Sequence, residues 1–95
     1  MPSTEDVLRL TIGALMRLTS ERQTDLADGI GLSQTQISRK QAGTAAWSLT
    51  DVDRLSAHYG IPVPDLLAGV DRAVHCLPVR RRAPAPGAAQ LTISP

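Results

Sequence analysis

Residues 23 to 43 read Gln-Thr-Asp-Leu-Ala-Asp-Gly-Ile-Gly-Leu-Ser-Gln-Thr-Gln-Ile-Ser-Arg-Lys-Gln-Ala-Gly, and no other stretch limits the fold so tightly. The spacing predicts two short helices around a tight turn. Leu26 and Ile30 stand at i and i+4, on one face of the first helix. Ala27 falls where the second helix would cross, and its small side chain lets the two backbones approach. Gly31 follows the last apolar residue, where a left-handed C-cap favours glycine. Leu32 turns back toward the core. Ser33 suits an N-cap, and Gln36 three residues later completes a capping box. The second helix then runs over residues 34–42 and stops at Gly43.

Ile37 is the only large aliphatic residue of that second helix, so it buries one stripe and leaves Gln34, Thr35, Ser38 and Arg39 outside. Those four types match the edges of bases in a DNA major groove. Gln pairs with adenine N6 and N7, Arg pairs with guanine O6 and N7, and the Thr methyl meets the thymine methyl. A plain solvated face would use the same residue types. Their coincidence with the spacing of Ala27, Gly31 and Ile37 favours a groove-reading helix, and the whole stretch a helix-turn-helix.

On the positions Gln23, Leu26, Ala27, Ile30, Gly31, Leu32, Ser33, Ile37, Ser38, Arg39 and Gly43, the stretch resembles the lambda-repressor-like helix-turn-helix family of the Xre or Cro/C1 type. The likeness continues through Trp47-Ser48-Leu49, Leu55, Tyr59-Gly60-Ile61-Pro62-Val63 and Leu66-Leu67, so it covers about residues 5 to 69. It implies a compact, all-α, five-helix DNA-binding domain that inserts helix 34–42 into the major groove as a dimer. The implied base contacts are Gln34, Thr35, Ser38 and Arg39. The implied backbone contacts are Gln23, Ser33, Lys40 and Thr44, with the loop at residues 44–48 along the DNA and Gln23 able to brace Gln34. One position departs from the pattern. The family usually seals the recognition helix with an aliphatic residue three positions after the central Ile, and this chain has Lys40. Either the Lys40 stem snorkels and its head reaches a phosphate, or Trp47 fills the gap.

Composition limits the alternatives. Ninety-five residues allow one domain, and with no Phe, one Trp and one Tyr its core is aliphatic. A domain of about 65 residues is near the lower limit for folding alone, which favours a helical bundle with local contacts. The net charge is only +1, and it is uneven. Residues 1–71 hold all nine acids against six basic residues, whereas residues 72–95 add Arg72, Arg80, Arg81 and Arg82 and no acid. No acid lies between Asp28 and Asp51, so the stretch carrying Arg39 and Lys40 is locally positive. Such a body predicts few phosphate contacts and leaves selectivity to the bases. Cys76 is the only cysteine, which excludes an intrachain disulfide and a cysteine zinc cluster. His58 has no second ligand nearby, so no metal and no cofactor are expected. No apolar run reaches eighteen residues and no signal peptide is read, which predicts no membrane partner and a cytoplasmic location. Nine Arg against one Lys suggest GC-rich coding, as in a bacterium or its phage.

The remaining chain sorts into a short arm at residues 1–4, the DNA-binding domain at residues 5–70, and a basic, Pro/Ala-rich flexible tail at residues 71–95. Ser3 or Thr4 caps the first helix, whose core stripe is Leu8, Thr11 or Ile12, Leu15 and Leu18, with Arg9 and Arg17 off it. Trp47 reads as a core plug, and Ser48 or Thr50 caps a fourth helix with Val52, Leu55 and Tyr59 inside. His58 reads as a surface residue near that helix's end. Pro64 fits the first turn of a fifth helix. Its apolar set Val63, Leu66, Leu67 and Val70 either closes the monomer core or forms the two-fold dimer contact that the resemblance implies. Residues 71–77 extend that helix or form a short strand. The run Arg80-Arg81-Arg82 is a solvated tail or a phosphate contact.

These observations point to a sequence-specific DNA-binding transcriptional regulator, a repressor rather than an activator, acting as a homodimer on an inverted-repeat operator. The alternative is an antitoxin-like or adaptor protein whose tail binds a protein, with Gln90-Leu91-Thr92-Ile93 adding as a strand to the partner's sheet. An enzyme is not expected. No paired carboxylates, phosphate loop or ligand cluster is present, and His75-Cys76 has no third group to orient it.

Overall fold

Three serines start helices in the computed structural model, which describes residues 2–83. Ser3, Ser33 and Ser48 accept from the backbone N–H of Asp6, Gln36 and Asp51, and each of those side chains accepts in return from the serine's own N–H. These reciprocal bonds satisfy donors that a helix start otherwise leaves open. The helices they begin are α1 (Thr4–Thr19), α3 (Gln34–Ala42) and α4 (Leu49–Tyr59). Between the first two lies α2 (Gln23–Ile30), where the Asp25 carboxylate accepts from the Arg22 N–H at 2.8 Å. Two shorter helices follow, α5 (Val63–Leu67) and α6 (Val70–Cys76), and then a single 3-10 turn at Val79–Arg81. Gly31 and Gly43 end α2 and α3 at φ +75° and +82°, a conformation that costs a residue with a Cβ more than glycine.

The all-α architecture is the expected one, and the core is aliphatic around two aromatic residues. Leu8, Ile12 and Leu15 of α1 meet Leu26 and Ile30 of α2, Ile37 of α3, Val52, Leu55 and Tyr59 of α4, and Ile61 and Leu66 beyond. Trp47 is buried with them, as the plug reading required.

Three expectations change. The chain after residue 70 is not a tail at first. It forms a sixth helix packed on α1 and α5, with Ala73 and Leu77 in the core. The segment beyond α6 stays on the body through Ala83 N–H to the Leu18 carbonyl (2.8 Å) and the Arg82 guanidinium to the Val74 carbonyl. Of the two readings of residues 71–77, helix or short strand, the structure has a helix, and its packing through Ala73 and Leu77 carries the folded body past residue 70. The rest of the expected tail, with the strand-like residues 90–93, lies outside the described residues. Second, Leu66 is fully buried in the monomer core, so it cannot serve as a dimer contact in this fold. Val63 and Leu67 are half-buried against the same core, and Val70 is half-buried at the start of α6. Third, His58 is not a surface residue. It bonds Glu21 at 2.5 Å, meets the Tyr59 ring edge-on, and lies where a Cβ on Gly29 would be. Arg81 stands 3.3 Å from the same imidazole nitrogen. Burial alone would raise the Glu21 carboxyl, but hydrogen bonds from His58 and Thr19 outweigh it and hold the group below its ordinary range. Burial and the nearby Glu21 charge push the Tyr59 phenol up, so it stays neutral.

An ion pair joins α3 to α4. Lys40 Nζ lies 2.7 Å from Asp51 Oδ2, with the side chains only 13% and 7% exposed. Burial would raise the Asp51 carboxyl, yet the bonds from Lys40 and from the Ser48 backbone N–H hold it below its ordinary value.

Two outcomes follow. Leu77→Ala lowers stability by about 2–5 kcal/mol in urea unfolding, the range for a buried leucine. A loss below about 0.5 kcal/mol, as for a surface site, would place Leu77 outside the core. Asp51→Asn keeps an acceptor for Ser48 and removes the charge, and costs about 1–3 kcal/mol at neutral pH. Because the Asp51 pKa is lowered on folding, its contribution is complete above about pH 3.9 and is lost as pH falls through the folded value. The gap between wild type and Asp51→Asn therefore closes in acid, and a gap that widened there would reverse the assignment.

Candidate nucleic-acid interface

The face of α3 opposite Ile37 is built by helical period. Gln34, Ser38, Thr35 and Arg39 fall in that order around an arc of about 140° at 3.6 residues per turn. All four are exposed, and together they line one shallow polar concavity. Among the described residues, none of these four side chains is engaged in a hydrogen bond within the chain. Their donors and acceptors are therefore open to an outside partner. Ile37, fully buried on the other side, holds the helix against the core.

The four expected backbone contacts separate. Ser33 is exposed at the start of α3, and its hydroxyl accepts from the Gln36 N–H at 3.2 Å. Thr44 is exposed just after Gly43, and its hydroxyl donates to the Arg39 carbonyl at 3.2 Å. Gln23 is half-buried in the first turn of α2, and no hydrogen bond joins it to Gln34 among the described residues. Lys40 is only partly exposed and turns toward the body. Its ammonium donates to Asp51 Oδ2 and to the Ala46 carbonyl, each at 2.7 Å, and stands 5.6 Å from the centre of the Trp47 ring. The phosphate contact expected of Lys40 is thus replaced by an internal one. At the family's aliphatic position, the Lys40 head does not snorkel outward but turns inward to Asp51 and Ala46, beside the buried Trp47.

Other residues at this surface carried no separate signal in the sequence. The Arg9 guanidinium, bonded to Asp6 at 2.7 Å, lies over Gly43 where a Cβ would be, at the end of α3. The Arg17 guanidinium and the Gln41 amide both approach Gly13, which brings a second α1 arginine beside α3. Arg54 donates to the Ile30 carbonyl at 3.2 Å and so closes the end of α2 behind the turn. The contacts of Arg9 with Gly43, Gln41 with Gly13 and Arg54 with Ile30 join residues 24 or more positions apart, and the intervening chain gives no periodicity that would reveal them. In the basic run, Arg81 is half-buried beside His58, Arg82 donates to the Val74 carbonyl while staying exposed, and Arg80 is exposed. Among the described residues, no helix is long and apolar enough to cross a membrane, and no group of three His, Cys, Asp or Glu is placed to hold a metal.

The model of the BetR domain family matches residues 8–91. No curated protein and no solved structure matches the chain. The match extends well past residue 69, where the resemblance to the lambda-repressor-like family ended, and takes in α6, which the fold shows to be part of the core. A turn between α2 and α3, an unengaged polar face on α3 and a family match over most of the sequence agree: this chain belongs to the BetR domain family, a helix-turn-helix-type DNA-binding family with a regulatory role.

Proposed function

We propose that this protein is a sequence-specific transcriptional repressor of the Xre or Cro/C1 kind that reads DNA with α3. The observation that carries the reading is the convergence of Gln34, Thr35, Ser38 and Arg39 on one exposed surface with no internal partners among the described residues. Arg39 and Gln34 are the main base readers, with Thr35 and Ser38 in support. Ser33, Thr44 and Gln23 face the sugar-phosphate backbone at helix starts and in the following loop, where backbone N–H groups favour an anion. Two copies bind an inverted repeat with half-sites about 34 Å apart, and repression follows from occupying a promoter in the cytoplasm. The protein carries out no catalysis.

Selection of bound duplexes from a random library, at moderate salt with the full chain, tests this. An enriched inverted repeat is expected. Arg39→Ala is expected to lose about 1–3 kcal/mol on that duplex and to relax preference at one base pair. Binding that is only salt-sensitive, with no sequence enriched, would sink the proposal. So would an Arg39→Ala variant that weakens every duplex equally.

A further inference from the structure

Lys40 is the only lysine in the chain, and it sits on the helix that faces DNA, next to Arg39. An outward ammonium there would serve as an ordinary phosphate contact. Instead it is almost enclosed. Its two acceptors come from different places: the Asp51 carboxylate on α4 and the Ala46 carbonyl in the loop between α3 and α4. The same Asp51 oxygen accepts from the Ser48 N–H at 2.9 Å, which is the reciprocal bond of the capping box that starts α4. One carboxylate oxygen therefore ties together the last turn of α3 and the start of α4, and Lys40 adds the loop between them. That loop is already folded onto the base-reading helix. The N–H groups of Thr44 and Ala45 donate to the Arg39 carbonyl at 3.0 and 3.3 Å, and the Thr44 hydroxyl donates to the same carbonyl.

We propose that Lys40 and Asp51 are positioning residues for DNA reading: their ion pair sets the angle of the last turn of α3 and the path of the loop at residues 43–47, and through them the placement of Arg39 and Thr44. The inference rests on α3 being the helix that reads DNA. Lys40 acts on bound DNA without touching it. Reaching a phosphate would require it to leave Asp51 and Ala46, and would strand a carboxylate that is only 7% exposed. Met or Leu at this position would seal the helix as well, but would not hold the Ala46 carbonyl.

The test uses the full chain with Lys40→Met or Asp51→Asn. The probes are the duplex that the wild type enriches and a random-sequence duplex of equal length, at a temperature well below each melting point. Both variants are expected to bind the enriched duplex roughly tenfold more weakly, within the range of coupling between residues in contact. The slope of log affinity against log salt stays unchanged, because the phosphate contact that shifts, Thr44, is uncharged and displaces no counterion. Asp51→Asn loses affinity although it removes a negative charge from the neighbourhood of DNA. In the free protein, hydrogen exchange at the Thr44 and Ala45 N–H groups quickens roughly tenfold in both variants, beyond the acceleration that the lost global stability gives the core amide of Ile12. The single lysine amine also acylates faster in Asp51→Asn than in the wild type.

A salt slope smaller by about 1 in Lys40→Met, with tighter binding by Asp51→Asn, would make Lys40 a phosphate contact and overturn the proposal. Unchanged affinity of folded variants would overturn it too, leaving the pair a role in stability alone. Should Lys40→Met fail to fold, Asp51→Asn decides by itself. If the wild type enriches no duplex, it is the proposed function that fails. The exchange rates at Thr44 and Ala45 then judge the ion pair, and unchanged rates overturn it.

Discussion

Ile37 is the only fully buried side chain of α3, and the open polar face of that helix depends on how this single anchor is reinforced. Burying one isoleucine contributes about 1.5–3 kcal/mol, and a helix this short is marginal in water. The helix therefore relies on its ends. Ser33 and Gln36 close the start, Gly43 lets the chain turn at the finish, and Lys40 fastens the last turn to α4. With the back of the helix secured this way, the front carries no apolar residue at all. Gln34, Thr35, Ser38 and Arg39 need nothing from the protein, which leaves their hydrogen-bonding groups available to base edges.

The inward lysine changes the electrostatics of that face. Arg39 is the exposed cation of α3, and Arg9 and Arg17 stand beside it from α1. Arg9 is partly neutralised by Asp6. On the proposed reading, a surface with so few free cations among the described residues attracts any duplex weakly, so discrimination among sequences weighs more in the total affinity than it would on a strongly basic domain. The ion pair between Lys40 and Asp51 serves geometry in place of charge, a use for which a desolvated pair is better suited than for stability alone.

At the other end of the body, α6 and the turn after it close the core that α1 and α5 leave open. Leu77 completes the apolar cluster, and Ala83, Arg82 and Arg81 hold the following segment to α1, α6 and α4. Glu21 and His58 meet there across 37 residues, and the absence of a side chain on Gly29 makes room for the imidazole. Arg81 and Arg82 thereby each place a guanidinium donor on the body, and Arg82 stays exposed. Leu66, which looked available to a second copy, is committed to the same core.

What was legible from sequence is what short-range chemistry dictates. Serine three residues before Gln36 and Asp51, glycine after Ile30 and Ala42, and apolar residues at helical spacing act within one or two turns, so the helices from α1 to α4 and the open face of α3 were visible before any folding. These local signals determined the fold class, the turn and the four candidate base readers. The tertiary structure alone decided which way Lys40 points, that His58 is inside, that α6 belongs to the core, and that Leu66 faces inward. Each of these depends on a partner far along the chain: Asp51 for Lys40, Glu21 for His58, and α1 for α6. A long charged side chain can satisfy its charge with solvent, phosphate or a carboxylate, and its own neighbours in sequence do not choose among them. The choice is made when distant helices pack and present an acceptor at hydrogen-bond distance in a place that water no longer reaches.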